Sequence, residues 1–389
     1  MVEPLLAFFL PKVKELDLLD GAHPGSSTVL TFYEQYKNGV LIRKSFLWIS
    51  TLLYPFLILQ NSNATHLAFK IRDLLCTVGY GLSLKTKYDL FIGLESVYAL
   101  AGILLKKIGK VKKVVYYVSD YSPKRYPNRL INGIYLWLDR FCCYHADYIW
   151  DVSKVIMPTR IRSGLNAKKS APLILVPNAL FDEQISYLPR EKRQPNSLVF
   201  LGTLGPENGP QVAIDAMSLI LKKIPKACLH IIGGGDDFEE PLKRRVARLK
   251  LEDSVVFHGF ISNAVEVSKL ARNFMVGLAP YTALPDSPRW FADATKIRLY
   301  MGIALPVITT YVSPLGKDVA EKGSAVIVGD NERELAEAIV AILQDKKLYD
   351  KMRKAAISYA KNNTWENSYG NAMKQIEQDY LSTSLTAKR

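Results

Sequence analysis

FLGTLGPENG, residues 200–209, leaves the apolar run Leu198 to Leu201 and enters a stretch of helical spacing from Pro210 to Lys223. A strand that passes through a glycine-rich turn into a helix is the opening step of a βαβ unit. Gly202 and Gly205 let backbone approach a ligand closely, and the helix start offers N–H groups and a positive dipole end to a phosphate. The glycine spacing is not the dinucleotide fingerprint and no lysine follows as in a P-loop, so by itself the turn reads equally well as a tight connection.

The alternation that follows gives the turn its meaning. Strand-like runs at Ala227 to Ile232, Ser254 to His258, Phe274 to Ala279, Pro306 to Thr310 and Ala325 to Val328 are separated by helical spacing at Glu239 to Leu249, Ala264 to Arg272 and Thr295 to Ile303. Three more helical segments, Glu332 to Leu343, Lys347 to Asn362 and Trp365 to Tyr380, close the chain. Upstream, Tyr88 to Gly93, Val114 to Ser119, Tyr148 to Val152 and Leu173 to Pro177 are compact and rich in β-branched and aromatic residues, as buried parallel strands are. Helical spacing separates these too, at Leu94 to Ile108, Asn128 to Ala146 and Ser153 to Leu165, the last with Ser153 as N-cap. The expected fold is α/β with two doubly wound, Rossmann-like domains facing across a cleft. Residues 1–180 form the first, polar and proline-containing 181–196 the linker, and 197–363 the second; 364–389 is expected to return to the first. At 389 residues the chain exceeds the size at which one core stops growing.

Composition narrows the classes. Cys76, Cys142, Cys143 and Cys228 fit neither a disulfide framework nor a zinc knuckle, so a reducing cytoplasm is expected. Glu3 stands where a secretory leader would be basic, and Pro55 breaks the apolar run Ser45 to Leu59 short of a membrane span. The net charge of +14 is uneven: residues 1–180 hold 23 Lys and Arg against 12 Asp and Glu. An anionic membrane surface met by this basic half, with the protein peripheral on the inner face, suits it better than nucleic acid, for which no reading module is present. Glu3 to Lys12 reads as a helix and the first β-rich run is Lys14 to Leu19.

Three further groups bear on chemistry. Ile231-Ile-Gly-Gly-Gly-Asp236 leaves a strand as the first turn does, with Gly233 and Gly234 in the loop. Asp293-Ala-Thr-Lys296 opens a helix that Asp293 or Thr295 would cap, and Lys296 on its first turn opposes the helix dipole unless an anion lies beside it. Arg298 and Arg289 flank it, and Asp286 lies in the preceding loop. On the first half, Asp120 ends the strand Val114 to Ser119 and is the leading acceptor-side candidate, ahead of His145, Asp151 and the loop His23 to Ser27. No Ser, His and Asp form a nucleophile elbow.

In their order and spacing, FLGTLGPENG, LHIIGGG, VVFHGF and ATKIRLYMGIALPVITT resemble the retaining GT-B glycosyltransferases, the glycogen-synthase-like and mannosyltransferase-like enzymes of group 1. More loosely, VPNALF and ADYIWDVSKVI are similar to the same family's first domain. The resemblance implies transfer of a sugar from a nucleotide diphosphate sugar, UDP or GDP sugar, to a glycan or lipid-linked acceptor in cell-surface polysaccharide biosynthesis. It implies no metal and no further cofactor. Gly202, Thr203, Asn208 and Gly209 fall where the family contacts phosphates, Gly259 and Phe260 beside the base, and Lys296 against the leaving diphosphate. Asp120 falls where an acid or His lies over the sugar. The chain departs from the pattern at Thr203 and Asn208, where Arg and Lys are common, at Leu299, where many members carry a ribose-binding Glu, and at Phe291, where a paired acid is absent. Diphosphate charge then falls to Lys296, Arg298 or Arg289, with Asp286 and Asp293 left for hydroxyls. The family's first strand and glycine loop have no counterpart at the amino end. A degenerate nucleotide-sugar-binding subunit and a nucleotide-sugar epimerase of the same shape are the alternatives.

Overall fold

The computed structural model describes residues 2–22, 28–52, 63–235 and 237–386. The chain divides into two compact units, Met1–Val176 and Pro177–Arg389.

The first unit opens with the helix Val2–Phe9 and an antiparallel meander of β1 (Glu15–Gly21), β2 (Thr31–Lys37) and β3 (Val40–Phe46). Of these, only β1 is legible from apolar periodicity. The signal for β2 and β3 is Asn38-Gly39, a two-residue loop with both residues at positive φ, 49° and 77°, that closes a hairpin of matching twist. The apolar run Ser45 to Leu59 is not one element: β3 ends at Phe46, Ile49–Leu52 is a short helix, and the rest lies outside the described residues.

β4 (Tyr88–Leu94), β5 (Val111–Val118), β6 (Tyr148–Asp151) and β7 (Leu173–Leu175) then form the expected parallel sheet, in the order β4-β5-β6-β7. With every crossover right-handed, sequential order places the helices Glu95–Lys107 and Arg129–His145 on the same face. Val114, Val115, Tyr116, Tyr117 and Val118 are all buried, as a central strand covered on both sides requires.

Beneath them lies a charged knot. Arg160 is 1% exposed and holds two carboxylates, Asp151 through its NH1 at 2.8 Å and 2.9 Å and Asp139 through Nε and NH2 at 2.9–3.1 Å. Tyr116 adds its hydroxyl to Asp139 at 2.7 Å. Burial pushes the Asp151 carboxyl up to about 6 even with the guanidinium against it. Asp151 is therefore committed to the fold, which corrects its reading as an acceptor-side residue. Ser153 does not cap the following helix either, which spans Ile156–Arg162 after Val155.

In the second unit β8 (Ser197–Leu201), β9 (Cys228–Ile232), β10 (Val255–Phe257), β11 (Val276–Ala279), β12 (Val307–Thr310) and β13 (Ala325–Val328) are all parallel, ordered β10-β9-β8-β11-β12-β13. Alternate residues of β8 feed opposite cores: Leu198 and Phe200 join one apolar cluster, Val199 and Leu201 the other. The strand order reverses between β8 and β11, and ligands of such sheets bind outside the carboxyl ends at that switch.

Residues 177–196 strap onto the second unit. Asn178 donates its N–H to Asp293 at 2.6 Å, and Arg193 donates to the carbonyls of Phe274 and Ile303 at 2.8 Å each. The last helix, Trp365–Thr386, is also counted with this unit, and Ser368 Oγ donates to the Pro177 carbonyl at 2.9 Å.

Replacing Arg160 with Leu leaves Asp139 and Asp151 buried without their cation. The expected loss is about 3–5 kcal/mol of unfolding free energy, read from urea denaturation followed by circular dichroism.

Candidate functional site

At the switch, four loops meet at the strand ends. Gly202 donates its N–H to the Ile232 carbonyl at 2.9 Å, Leu204 to Gly234 at 3.0 Å, and Gly233 to Gly259 at 2.9 Å, so the turns after β8, β9 and β10 are stitched in series. A side chain on Gly233 would overlap the Gly202 carbonyl, and one on Gly235 the Leu204 carbonyl. Gly209, at φ 76°, packs on the Pro280 carbonyl after β11, where no Cβ fits. Gly209 and Gly233 are thus needed first for loop packing. Asn208 is 2% exposed and donates from Nδ2 to the Thr203 carbonyl at 3.0 Å, so it shapes the β8 loop from within. Thr203 itself is exposed, and Phe260, 77% exposed, stands with its Cβ side toward Gly234.

Lys296 enters this floor from the helix Thr295–Gly302. Its amine lies 4.1 Å from the centre of the Phe200 ring and 5.0 Å from that of Tyr281, and its aliphatic end lies against Gly202. The Nζ atom is sealed from water and has no hydrogen-bond partner. Burial drives its pKa well below that of an ordinary lysine; the nearby charge of Arg289 adds to this and Glu207 opposes it. The Nε of Arg289 is likewise buried without a partner. Ring faces soften the cost of an unpaired ammonium, but they accept no hydrogen bond along the N–H directions. Two basic groups near these glycine-lined strand ends are thus each left with a buried nitrogen short of an acceptor.

Tyr300, which the sequence reading missed, fixes the helix that carries Lys296. Its hydroxyl accepts the Leu201 N–H at 2.9 Å and lies 3.1 Å and 3.0 Å from the Val199 and Leu278 carbonyls, so it sits across β8 and β11. Gly277 leaves room for the ring. The pairing of Gly277 with Tyr300 was visible only as two residues far apart in sequence.

Asp293 and Arg298 do not serve as expected. They form a two-pronged ion pair at 2.8 Å and 2.9 Å, each side chain 4% exposed, and Arg298 also reaches Tyr359 at 3.0 Å. Neither is left for a ligand, and Asp293 does not cap the helix, whose N-cap is Ala294 with no side-chain bond. Thr295 is exposed. Leu299 is 9% exposed in the apolar core. Asp286 has φ 63° in the loop before Lys296.

In the first unit Asp120 is half exposed after β5, and Arg125 bonds its carbonyl at 2.7 Å with the carboxylate 3.6 Å away. Beside it stands Glu95, the residue that turns β4 into its helix at φ 65°, a conformation that costs a non-glycine residue energy. Ser119 Oγ donates to Glu95 at 2.9 Å, and Arg125 lies 3.7 Å from the other carboxylate oxygen. Burial raises the Glu95 pKa, against the pull of Arg125. Its sequence signal was weak, because nothing in GLES announces a left-handed glutamate. His145 is exposed and its ring lies tilted against Phe141, centres 4.2 Å apart, and the loop His23 to Ser27 lies outside the described residues. Among the described residues no helix is long and apolar enough to cross a membrane.

Residues 195–345 match the family described as glycosyl transferases group 1. The poly(glycerol-phosphate) alpha-glucosyltransferase of Bacillus subtilis (strain 168) is 26% identical over 172 residues, 40% of this chain and 22% of that protein. The D-inositol 3-phosphate glycosyltransferase of Jonesia denitrificans is 27% identical over 192 residues, 48% of this chain and 44% of its own. Both alignments therefore span less than half of the relative. Among solved structures, Anabaena Alr3699/HepE in complex with UDP superposes with a TM-score of 0.64 at 16% identity, over 80% of this chain and 82% of that one. Trehalose-6-phosphate from E. coli bound with UDP-2-fluoro glucose gives 0.67 at 14% identity, over 92% and 91%. Residues 195–345 thus match the glycosyl transferases of group 1, and the chain has a GT-B fold of two Rossmann-like units.

Proposed function

We propose that this chain transfers a sugar from a UDP or GDP sugar to a glycan or lipid-linked acceptor in cell-surface polysaccharide assembly, with retention at the anomeric carbon and without a metal. The observation that carries this is the Lys296 amine, buried and unpartnered beside Gly202. When the bond between sugar and diphosphate breaks, charge builds on the leaving phosphate. A fixed cation in a dry site stabilises that charge more than it does the ground state. Lys296 and Arg289 take this role, and the backbone of Gly202 and Thr203 lines the phosphates. Gly234, Gly259 and the exposed Phe260 ring receive the base. Asp120, with Glu95 and Arg125 beside it, serves the acceptor side. The basic first half supports a site of action on the inner, cytoplasmic face of a membrane.

A second reading is a nucleotide-sugar-binding subunit without turnover, supported by Leu299, buried where many group 1 enzymes carry an acid. Calorimetry with UDP-glucose, GDP-mannose and ADP-glucose, followed by assay of nucleoside diphosphate release, separates the two. Binding without release selects the subunit, and no binding of any of these overturns both. Lys296→Ala is expected to lower turnover roughly 10²–10³-fold while the fold, followed by circular dichroism, is kept.

The depressed amine pKa sets the pH dependence. In the free protein Lys296 loses its proton at a pH below that of an ordinary lysine, and a bound diphosphate raises its pKa again. Donor binding between those two values takes up a proton, so affinity falls as pH rises through the window. Calorimetry in buffers of different ionisation enthalpy is expected to show this uptake in the wild type and not in Lys296→Ala.

A further inference from the structure

The helix Arg129–His145 turns its apolar side outward. At about 100° per residue, Leu130, Ile134, Trp137 and Phe141 share one stripe, of which Leu130, Ile134 and Trp137 are 75%, 49% and 61% exposed. Phe141 stacks on Trp137 at 5.7 Å, which makes the aromatic surface continuous. The helix's one acid, Asp139, points inward to Arg160 and Tyr116. Its core side is already satisfied, so the outer stripe is surplus to this unit's own packing. Large apolar side chains aligned over several turns and left in water mark a surface that something covers.

Charge identifies the cover. Residues 121–145 carry four cations, Lys124, Arg125, Arg129 and Arg140, and their one acid, Asp139, is buried; of the four, Arg125 lies against Asp120 and Glu95. A protein partner of mixed charge does not call for this, whereas the headgroup layer of an anionic bilayer does, with Trp at the boundary and Arg and Lys at the phosphates. We propose that this helix lies in the interface of an anionic membrane, with Leu130, Ile134 and Trp137 inserted and Lys124 and Arg129 at the headgroups. The inference rests on the reading of a membrane-peripheral transferase and goes beyond charge: adsorption by cations alone is lost in salt, while an inserted stripe is not.

The test uses the full chain and sedimentation with vesicles of phosphatidylcholine, with and without phosphatidylglycerol. Wild type is expected to bind the phosphatidylglycerol vesicles and to keep part of that binding at high salt. The triple variant Leu130→Gln, Ile134→Gln, Trp137→Gln is expected to bind them at least about tenfold more weakly, and Lys124→Gln with Arg129→Gln to weaken binding at low salt. Calorimetric donor binding, unchanged in the triple variant, reports that the protein is folded, and its absence in the wild type sinks the transfer reading separately from the membrane one. The inference is overturned if the triple variant sediments like wild type or if wild type ignores anionic vesicles. It is equally overturned if ultracentrifugation finds a dimer that the triple variant abolishes, since the stripe is then covered by a second copy.

Discussion

A lysine amine held dry against two aromatic rings, without a hydrogen-bond acceptor, is the constraint around which the second unit is arranged. Left to itself a lysine side chain would swing its amine to water, because four flexible methylenes let it snorkel. Lys296 does not, because the helix beneath it is pinned. Tyr300 ties that helix to β8 and β11 through three backbone groups. On another side the Asp293–Arg298 pair anchors it to Asn178 and Tyr359. The buried ion pair that removes Arg298 from ligand binding is thus what keeps Lys296 in place.

The second unit was legible because its signals are local. Each β-to-α step is a short apolar run followed by glycine or a capping residue, and the six strands lie where those runs lie. The helix Pro314–Glu321 was not marked by periodicity, although Ser313 caps it, its Oγ accepting the Gly316 N–H. The first unit was less legible for a physical reason: meander strands such as β3 expose most of their residues, so apolar alternation fades and turn chemistry carries the information. The helix Asn63–Ser83 follows an apolar run that blurs its start.

Within the site, residue type was readable and commitment was not. The sequence marks Lys296, Arg298, Arg289, Asp293 and Asp151 as charges near strand ends, and it cannot say which are neutralised by partners. Asp151 finds Arg160, and Asp293 finds Arg298, with both pairs buried. Glu95 presents the reverse case: an ordinary glutamate in sequence becomes notable only through its backbone angle and its place beside Ser119 and Arg125.

On the proposed function, with Arg298 spent, the charge available to a diphosphate rests on Lys296 and Arg289, which oppose each other through proximity. Two nearby cations without an anion destabilise one another, and the softer of the two yields by losing its proton, because a guanidinium does not. A diphosphate removes that conflict for both at once, so the site gains most when the leaving group carries its full charge. Where the resemblance leads to an Arg and a Lys on the loop after β8, this chain has Thr203 and Asn208, and its nearby basic groups are Lys296 at a helix start and Arg289 in the turn Pro288–Trp290. On that reading such a site would discriminate between phosphate charge states through the protonation of a single amine, and the rigidity supplied by Tyr300 and the Asp293–Arg298 pair would be the condition for it.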